Sequence, residues 1–195
     1  MMTYDTLNYS HDSGIAVITL NRPEVRNALN DKLVEELERL LRAIEKDERV
    51  RVAIITGGEG CFSAGADIGV LKRLGTPLDA QSFWETIIGL TMANELLFTG
   101  RIVNAEEALR LGLVNRVVPV SDLLNEAKAM AAKIAETPAV AVKITKMCLR
   151  DGLRMNLSEA LAYEGRCFEF LFSTNDYAEG VSAFLEKRAP RFTGT

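Results

Sequence analysis

The feature that most constrains this chain is a glycine-rich segment placed directly after an apolar, β-branched run. Residues 50–56 (VRVAIIT) have the composition and length of a buried strand. Residues 57–68 (GGEGCFSAGADI) then contain four glycines, which leave backbone amides uncovered where another molecule can approach. The segment therefore suits the binding of an anion or a developing oxyanion, and the alternative is a strand that simply ends in a tight turn.

Two familiar phosphate-binding loops do not fit the glycine-rich segment. No Lys-Ser or Lys-Thr pair follows Gly65, as a Walker loop requires, and the sequence contains no G-x-G-x-x-G. The net charge of −4 argues against the broad basic surface of proteins that bind nucleic acid or anionic membranes. Local basic residues are therefore expected to contact any anionic ligand.

The remaining signals of compartment and chemistry are plain. The first residues have neither the basic nor the apolar region of a secretory leader, and no apolar run suits a membrane span, so we expect a cytoplasmic protein. Cys61, Cys148 and Cys167 are far apart and odd in number, which favours neither a disulfide framework nor a zinc site. Cys61 is either a nucleophile or a small buried residue. The only histidine, His11, falls in a predicted polar turn over residues 11–14, so a histidine-based triad is not expected.

The order of predicted elements in the first half is that of an α/β layer. Residues 15–20 form an apolar strand that Pro23 ends. Apolar residues then recur at helical spacing over residues 33–44, with Asn30 as the N-cap. Because the strand at residues 50–56 follows, we expect a strand–helix–strand unit whose ligand site lies in the loops after the strands.

The second half reads as helical after one further strand. Residues 68–74 and 80–98 suit helices, and Asn104 with Glu107 resembles a capping pair that opens a helix over residues 105–111. Residues 114–118 (VNRVV) suit a strand. Helical patterns then begin at residues 121, 140, 157 and 178. We therefore predict an α/β core over residues 1–120 and a helical region over residues 121–195.

Five segments, in this order, resemble motifs of one family, the crotonase (enoyl-CoA hydratase/isomerase) superfamily. They are Asn21-Arg22-Pro23 with Asn27-Ala28-Leu29, then residues 63–68 (SAGADI), Thr99-Gly100-Arg101, residues 108–114 (ALRLGLV) and residues 180–188 (GVSAFLEKR). Each motif alone is weak, and the five in order are specific. The resemblance implies a ββα spiral core followed by a helical region, and assembly as a homotrimer or a dimer of trimers.

The resemblance also implies a substrate and a mechanism. Its members bind acyl-CoA thioesters and pass through an enolate-like species whose oxygen accepts hydrogen bonds from two backbone amides, with no cofactor beyond the coenzyme A of the substrate. By position, Ala66 N–H is one of these donors. Residues that match positions in contact with coenzyme A or the acyl chain in the family are Val25, Arg26, Ala64, Gly65, Ala66, Asp67, Ile68, Phe184 and Lys187. Phe184 could instead be a core residue, and Arg26 a solvated one.

The chain departs from the family between Ala66 and Thr99, where it is too short. The family pattern predicts several dozen more residues here. The missing block should lie near residues 86–90, close to Thr86 or Ile87, and it should include the second oxyanion donor and the catalytic carboxylates. No local carboxylate clearly replaces them, and Glu85, near the junction, is a candidate general acid by its position alone. The sequence therefore predicts an enoyl-CoA hydratase or isomerase. The alternatives are a non-catalytic relative that binds coenzyme A or serves in assembly, and an unrelated phosphate binder.

Overall fold

A computed structural model describes residues 3–58, 60–67, 70 and 90–195. Within them, strands β1 (Leu7–Asp12), β2 (Ile15–Leu20) and β3 (Val52–Thr56) form a sheet in the order β1-β2-β3. The prediction of a strand over residues 15–20 is confirmed. The predicted polar turn at residues 11–14 is wrong in its first half, because His11 and Asp12 belong to β1.

The turn between β1 and β2 is shorter than the sequence suggested. Ser13 and Gly14 both have positive φ, 49° and 79°, as a two-residue hairpin turn with the twist of its flanking strands requires. Asp12 then pairs with Ile15 in the antiparallel ladder. The polar sequence of β1 hid this strand, since its exposed face carries residues that also suit turns.

The predicted strand–helix–strand unit is confirmed. Helix α1 (Asp31–Glu45) joins β2 to β3, which pair in parallel from Ile15 with Val52 to Thr19 with Thr56. The Asn30 side chain accepts a hydrogen bond from Leu33 N at 3.0 Å, which confirms Asn30 as the N-cap. Because β2 and β3 are parallel, the loops that follow them leave the sheet at the same edge.

A small core lies between the hairpin and α1. Its buried members come from β1, β2 and α1, and they are Leu7, Ile18, Leu20, Leu33 and Leu40. The buried face of α1 is narrower than its apolar stripe, because Val34 is 49% exposed. Glu36 is buried on the same helix and accepts hydrogen bonds from Asp5 N, Thr6 N and Thr6 Oγ1. Burial raises the pKa of Glu36, but these hydrogen bonds outweigh it and hold the pKa below the ordinary value.

The second half of the chain is helical, as predicted. Its described α-helices are α2 (Leu90–Thr99), α3 (Ala105–Arg110), α4 (Leu123–Ala135), α5 (Ala139–Gly152), α6 (Leu157–Leu171) and α7 (Asn175–Glu186). The Asn104 side chain caps α3 by accepting from Glu107 N at 2.8 Å. The Glu107 carboxylate does not return this contact, because it pairs with Arg101.

The predicted strand over residues 114–118 is wrong. This segment has no regular structure, and none of the described strands pairs with it. Val114 and Val117 are each 41% exposed. A β-branched run becomes a strand only when a neighbouring strand supplies its ladder of hydrogen bonds, and β-propensity alone does not supply that partner.

Two contacts connect parts of the C-terminal region, one between α5 and α6 and one between α7 and the last residues. Cys148 of α5 lies beside Cys167 of α6. The pKa of Cys148 is raised mainly by burial of its thiol, and also by a hydrogen bond with the thiol of Cys167. The buried Asp176 carboxylate of α7 accepts from Thr193 N at 2.6 Å and Gly194 N at 2.9 Å, which ties the last residues to the start of that helix. Distance along the sequence thus hid the proximity of two of the three cysteines.

Several predictions lie outside the described residues. They are the helix at residues 68–74, the first part of the helix at residues 80–98, Ile68, Trp84, Glu85, and the junction at Thr86 and Ile87. None of the helices that the structure describes is long and apolar enough to cross a membrane. The predicted division after residue 120 falls at a 3-10 turn, Val120–Asp122, and stays a prediction.

Candidate functional site

Two loops lie side by side where β2 and β3 end. One contains residues 21–30, here called the β2 loop, and the other contains the described residues of 57–67, here called the glycine loop. Ala64 N donates to Arg26 O at 2.8 Å, Leu29 N donates to Gly65 O at 2.8 Å, and Asp67 N donates to Leu29 O at 3.0 Å. These three backbone hydrogen bonds fix one loop against the other.

The pairing of the loops leaves the Ala66 amide unused. Ala66 forms a parallel bridge with Leu29, and the hydrogen bonds of that bridge are made by Leu29 and Asp67 amides. In this parallel bridge Leu29 makes both hydrogen bonds, through its N–H and its carbonyl, so the N–H of Ala66 points away from the β2 loop. Ala66 N–H accordingly has no acceptor among the described residues, and Ala66 is half-buried. An amide in this arrangement can donate to an oxygen of a bound molecule.

A buried asparagine connects the two loops. Asn27 is 3% exposed, and its Nδ2 donates to Gly57 O at 2.8 Å and to Cys61 O at 3.0 Å. Its Oδ1 accepts from Arg22 N at 2.8 Å. From the sequence, Asn27 was recognised only as part of a motif, with no role assigned to it. Its position before Ala-Leu was the available signal, but its burial depends on the fold.

Ser63 extends this network toward Ala66. The Ser63 hydroxyl donates to Asn27 O at 2.8 Å, and Ser63 Oγ accepts a hydrogen bond from Gly65 N at 3.1 Å. The backbone on either side of the Gly65 nitrogen is therefore tied to the β2 loop. The next peptide group, which joins Gly65 to Ala66, carries the Ala66 N–H.

Two glycines are required here for different reasons. A Cβ on Gly57 would lie 2.2 Å from Cys61 O and 2.3 Å from Phe62 Cα, so the fold of the glycine loop leaves no room for a side chain. Gly65 has φ of +90°, which side chains disfavour, although an added Cβ would meet nothing within 4 Å. The glycine loop is longer than a simple tight turn after β3, because it continues to Asp67 and pairs with the β2 loop.

Asp67 makes an ion pair beside the Ala66 amide. Its Oδ2 lies 3.4 Å from Nη1 and 3.4 Å from Nη2 of Arg22, and Nη1 also donates to Ala28 O. The two side chains are 15% and 28% exposed. This carboxylate therefore supports the loops, and contact of Asp67 with a ligand stays a prediction.

The predicted residues of the β2 loop are accessible. Val25 ends a 3-10 turn, Pro23–Val25, and is 39% exposed. Arg26 follows with φ of +52° and is exposed. Its guanidinium forms no ion pair with the described part of the chain, whereas Arg22 is paired with Asp67. Arg26 is thus a cation at the rim of the two loops.

Phe184 and Lys187 lie at the C-terminal end of α7 and not on the β2 loop or the glycine loop. Phe184 is 82% exposed, so the alternative of a core residue is wrong. The sequence placed Lys187 on the helix face of Phe184, but α7 ends at Glu186 and Lys187 has φ of +55°. The helix ends there because Lys187 N and Arg188 N turn back to Phe184 O and Ala183 O.

A cavity of about 290 Å³ lies on another side of the glycine loop. It is bounded by the end of β3, by Phe62 and by the first turns of α4, including Leu123 and Leu124. Ala64, Gly65 and Ala66 do not line it. Phe62 and Leu123 are 59% and 52% exposed, so this cavity is an open apolar depression.

Other candidate chemistry finds no support in the described residues. His11 Nε2 lies 3.2 Å from Arg49 O in the hairpin region, away from both loops. The Cys61 thiol is 3.8 Å from Arg26 O, and no histidine neighbours it in the described part of the chain. No group of three or more His, Cys, Asp or Glu residues that suits a metal ion occurs in the ranges the structure describes.

Comparisons with known proteins agree with this arrangement. The sequence model of the enoyl-CoA hydratase/isomerase family matches residues 10–86 and 73–195. A probable enoyl-CoA hydratase of Mycobacterium bovis is 33% identical over 255 aligned positions, covering 98% of this chain and 99% of the relative. A short-chain-enoyl-CoA hydratase of Clostridium acetobutylicum is 31% identical, covering 89% and 92%. The crystal structure of an enoyl-CoA hydratase from Bacillus anthracis superposes with a TM-score of 0.87 at 27% identity, covering 98% of this chain and 100% of that one.

The alignments also show that the chain is shorter than its relatives. The alignment with the M. bovis relative has 255 positions, whereas this chain has 195 residues, so at least 60 positions lack a residue here. The two segments that match the family overlap over residues 73–86, so they touch the predicted junction near residues 86–90 only at Thr86. The predicted spiral α/β fold and the predicted family are confirmed, and an unrelated phosphate binder is excluded. With five ordered motifs, the family match and full-length relatives in agreement, this chain belongs to the enoyl-CoA hydratase/isomerase family.

Proposed function

We propose that this protein binds acyl-CoA thioesters and hydrates or isomerises an enoyl-CoA through an enolate whose oxygen Ala66 N–H stabilises. The observation that carries this proposal is the Ala66 amide, which has no acceptor among the described residues and lies where two loops are joined by backbone hydrogen bonds. The relatives support it, because they are named as enoyl-CoA hydratases. Those names favour an enzyme over the non-catalytic alternative.

The amide has a defined part in the reaction. In hydration, water adds its oxygen to the β-carbon of the enoyl thioester, and electron density moves to the thioester oxygen before a proton returns to the α-carbon. A donor that is already in place stabilises this developing charge without reorganising. By analogy with the oxyanion holes of proteases, one such donor contributes about 3 kcal/mol to the transition state.

The remaining contacts with coenzyme A are assigned by position. Val25 and Ala64 lie on the two loops, and Arg26 offers an exposed guanidinium that suits a phosphate of coenzyme A. Ile68 follows Asp67 in the sequence and is assigned by the resemblance alone. Phe184 and Lys187 suit the site of a neighbouring copy, because both side chains are exposed at the end of α7.

Self-association follows from the same exposed surface. Helices α6 and α7 expose large apolar side chains, namely Leu157, Leu161, Phe168, Phe184 and Leu185, each at least 58% exposed. Apolar patches of this kind mark protein–protein contacts. We assign them to a homotrimer or a dimer of trimers in the cytoplasm, with coenzyme A entering only as part of the substrate and with no nucleic acid or membrane partner.

The missing block limits the rate that we expect. The resemblance implies that the second oxyanion donor and the catalytic carboxylates fall in the missing block. Binding relies on the two loops and on Lys187, which are present. We therefore expect weak acyl-CoA binding that falls with salt, and hydration far slower than in a complete member of the family.

A titration with crotonyl-CoA at low and high salt tests this function. The unmodified protein should bind, and Lys187→Ala should weaken binding at low salt more than at high salt, since screening already reduces the lost interaction. Lys133→Ala is the matched control, because it removes an exposed lysine from α4. Loss of the enoyl absorbance measures hydration. Absence of binding by the unmodified chain contradicts the proposal, and hydration as fast as in a complete relative contradicts the account of the missing acids.

A further inference from the structure

We propose that Asn27 is the positioning residue that holds the Ala66 amide in its donating orientation. Its side chain crosses from the β2 loop to the glycine loop, and its backbone contacts the residue that supports Gly65. This inference rests on the proposed function, in which Ala66 N–H meets the thioester oxygen. It adds a residue that never touches the substrate.

The carboxamide of Asn27 uses its capacity on the two loops. Its Nδ2 carries two hydrogens, and they donate to Gly57 O at 2.8 Å and Cys61 O at 3.0 Å. Its Oδ1 accepts from Arg22 N at 2.8 Å. Because these two carbonyls lie on opposite sides of the bend at Gly58 and Gly60, one side chain closes the first part of the glycine loop.

The backbone of Asn27 fixes the second part of that loop. Its φ is +55°, a conformation in which asparagine is favoured over most residues. In this conformation Asn27 O accepts from the Ser63 hydroxyl, whose oxygen accepts from Gly65 N. A continuous series of hydrogen bonds thus runs from Asn27 through Ser63 to the residue directly before Ala66.

The site needs such a residue because its donor is part of a loop. An amide stabilises a developing oxyanion only when it already points at that oxygen, and a displacement of about 1 Å can lower a rate about 100-fold. A buried, fully hydrogen-bonded carboxamide resists displacement, since moving it leaves buried carbonyls without donors. Asn27 is 3% exposed, so water does not readily replace it.

Asn27→Asp tests the inference most directly. The change keeps the size of the side chain, the acceptor for Arg22 N and the tolerance for positive φ. It removes both donors and places a carboxylate oxygen against Gly57 O and Cys61 O. We expect the amide resonances of Gly65 and Ala66 to move in the ligand-free protein, and hydration to fall about 100-fold. Asn27→Gly, which keeps the backbone conformation, gives the same comparison if Asn27→Asp does not fold.

A spectroscopic probe separates position from stability. A bound cinnamoyl-CoA absorbs at longer wavelength when a hydrogen bond polarises its carbonyl, so the shift reports the donor itself. The shift should be present in the unmodified protein and lost in Asn27→Asp. Asp176→Asn is the matched control: Asp176 is also 3% exposed, and the change places a new donor against either Thr193 N or Gly194 N. It should lower stability and keep the shift.

The outcomes distinguish the two proposals. Unchanged Gly65 and Ala66 resonances in Asn27→Asp, or an unchanged carbonyl shift, overturn the role of Asn27. Equal loss of the shift in Asp176→Asn also overturns it, because a general loss of stability then explains the result. Moved resonances in a protein that binds no acyl-CoA support the positioning of the amide and contradict the proposed function.

Discussion

Replacing Gly65 by alanine is expected to separate the geometry of the glycine loop from its stability. The added Cβ meets nothing within 4 Å, so the change creates no clash. Its cost is the φ of +90°, and a side chain in a left-handed conformation costs about 1–2 kcal/mol. If the loop relaxes, the hydrogen bond from Leu29 N to Gly65 O is lost as well, which adds about 1 kcal/mol.

The effect on activity should exceed the effect on stability. The Ala66 N–H belongs to the peptide that joins Gly65 to Ala66, so relaxation at Gly65 turns this amide away from its present direction. Loss of one oxyanion donor lowers turnover by about 100-fold to 1000-fold. We therefore expect Gly65→Ala to unfold at a somewhat lower urea concentration and to hydrate an enoyl-CoA at least about 100-fold more slowly.

Gly60→Ala is the control for this experiment. Gly60 lies in the same loop with φ of +88°, and an added Cβ there also meets nothing within 4 Å. Its backbone strain should therefore match that of Gly65→Ala, but Gly60 is not joined to Ala66. Urea unfolding and the rate of enoyl-CoA hydration are measured for both variants. Equal losses of activity in the two would refute the reasoning, since strain anywhere in the loop would then suffice.

Three further expectations concern the fold, the ligand and the assembly. Glu36→Gln should lower the free energy of unfolding by about 2 kcal/mol at neutral pH, because an amide then faces the Thr6 donors. Since the pKa of Glu36 is lowered, its stabilisation is present above the ordinary carboxyl pKa and lost as pH falls through the folded value, so the difference should narrow in acid urea titrations. Arg26→Ala should weaken binding of crotonyl-CoA several-fold at low salt, and equal affinity by calorimetry would remove this cation from the site. Phe184→Asp should dissociate the assembly in sedimentation, whereas Ile102→Asp, at a residue 94% exposed outside α6 and α7, should not.

Local signals predicted the elements that depend on neighbours in sequence. Three such features are present in the structure: the helical spacing of apolar residues in α1, the cap at Asn30 and the glycine after β3. The motif order was sufficient to identify the family, and the position of the missing block stays a prediction. These features could be read from the chain because hydrogen bonds and steric limits between nearby residues determine them.

The tertiary structure decided what depends on distant partners. Residues 114–118 have strand propensity and no strand partner, whereas the polar β1 is a strand because β2 pairs with it. Exposure of Phe184 and burial of Asn27 depend on which surfaces meet, and neither periodicity nor motif contains that information. The sequence by itself determined the family, the α/β order and the loop that presents Ala66. Only the packing of the β2 loop against the glycine loop decided that Asn27 connects them, because a buried hydrogen bond exists only once both of its partners are brought together.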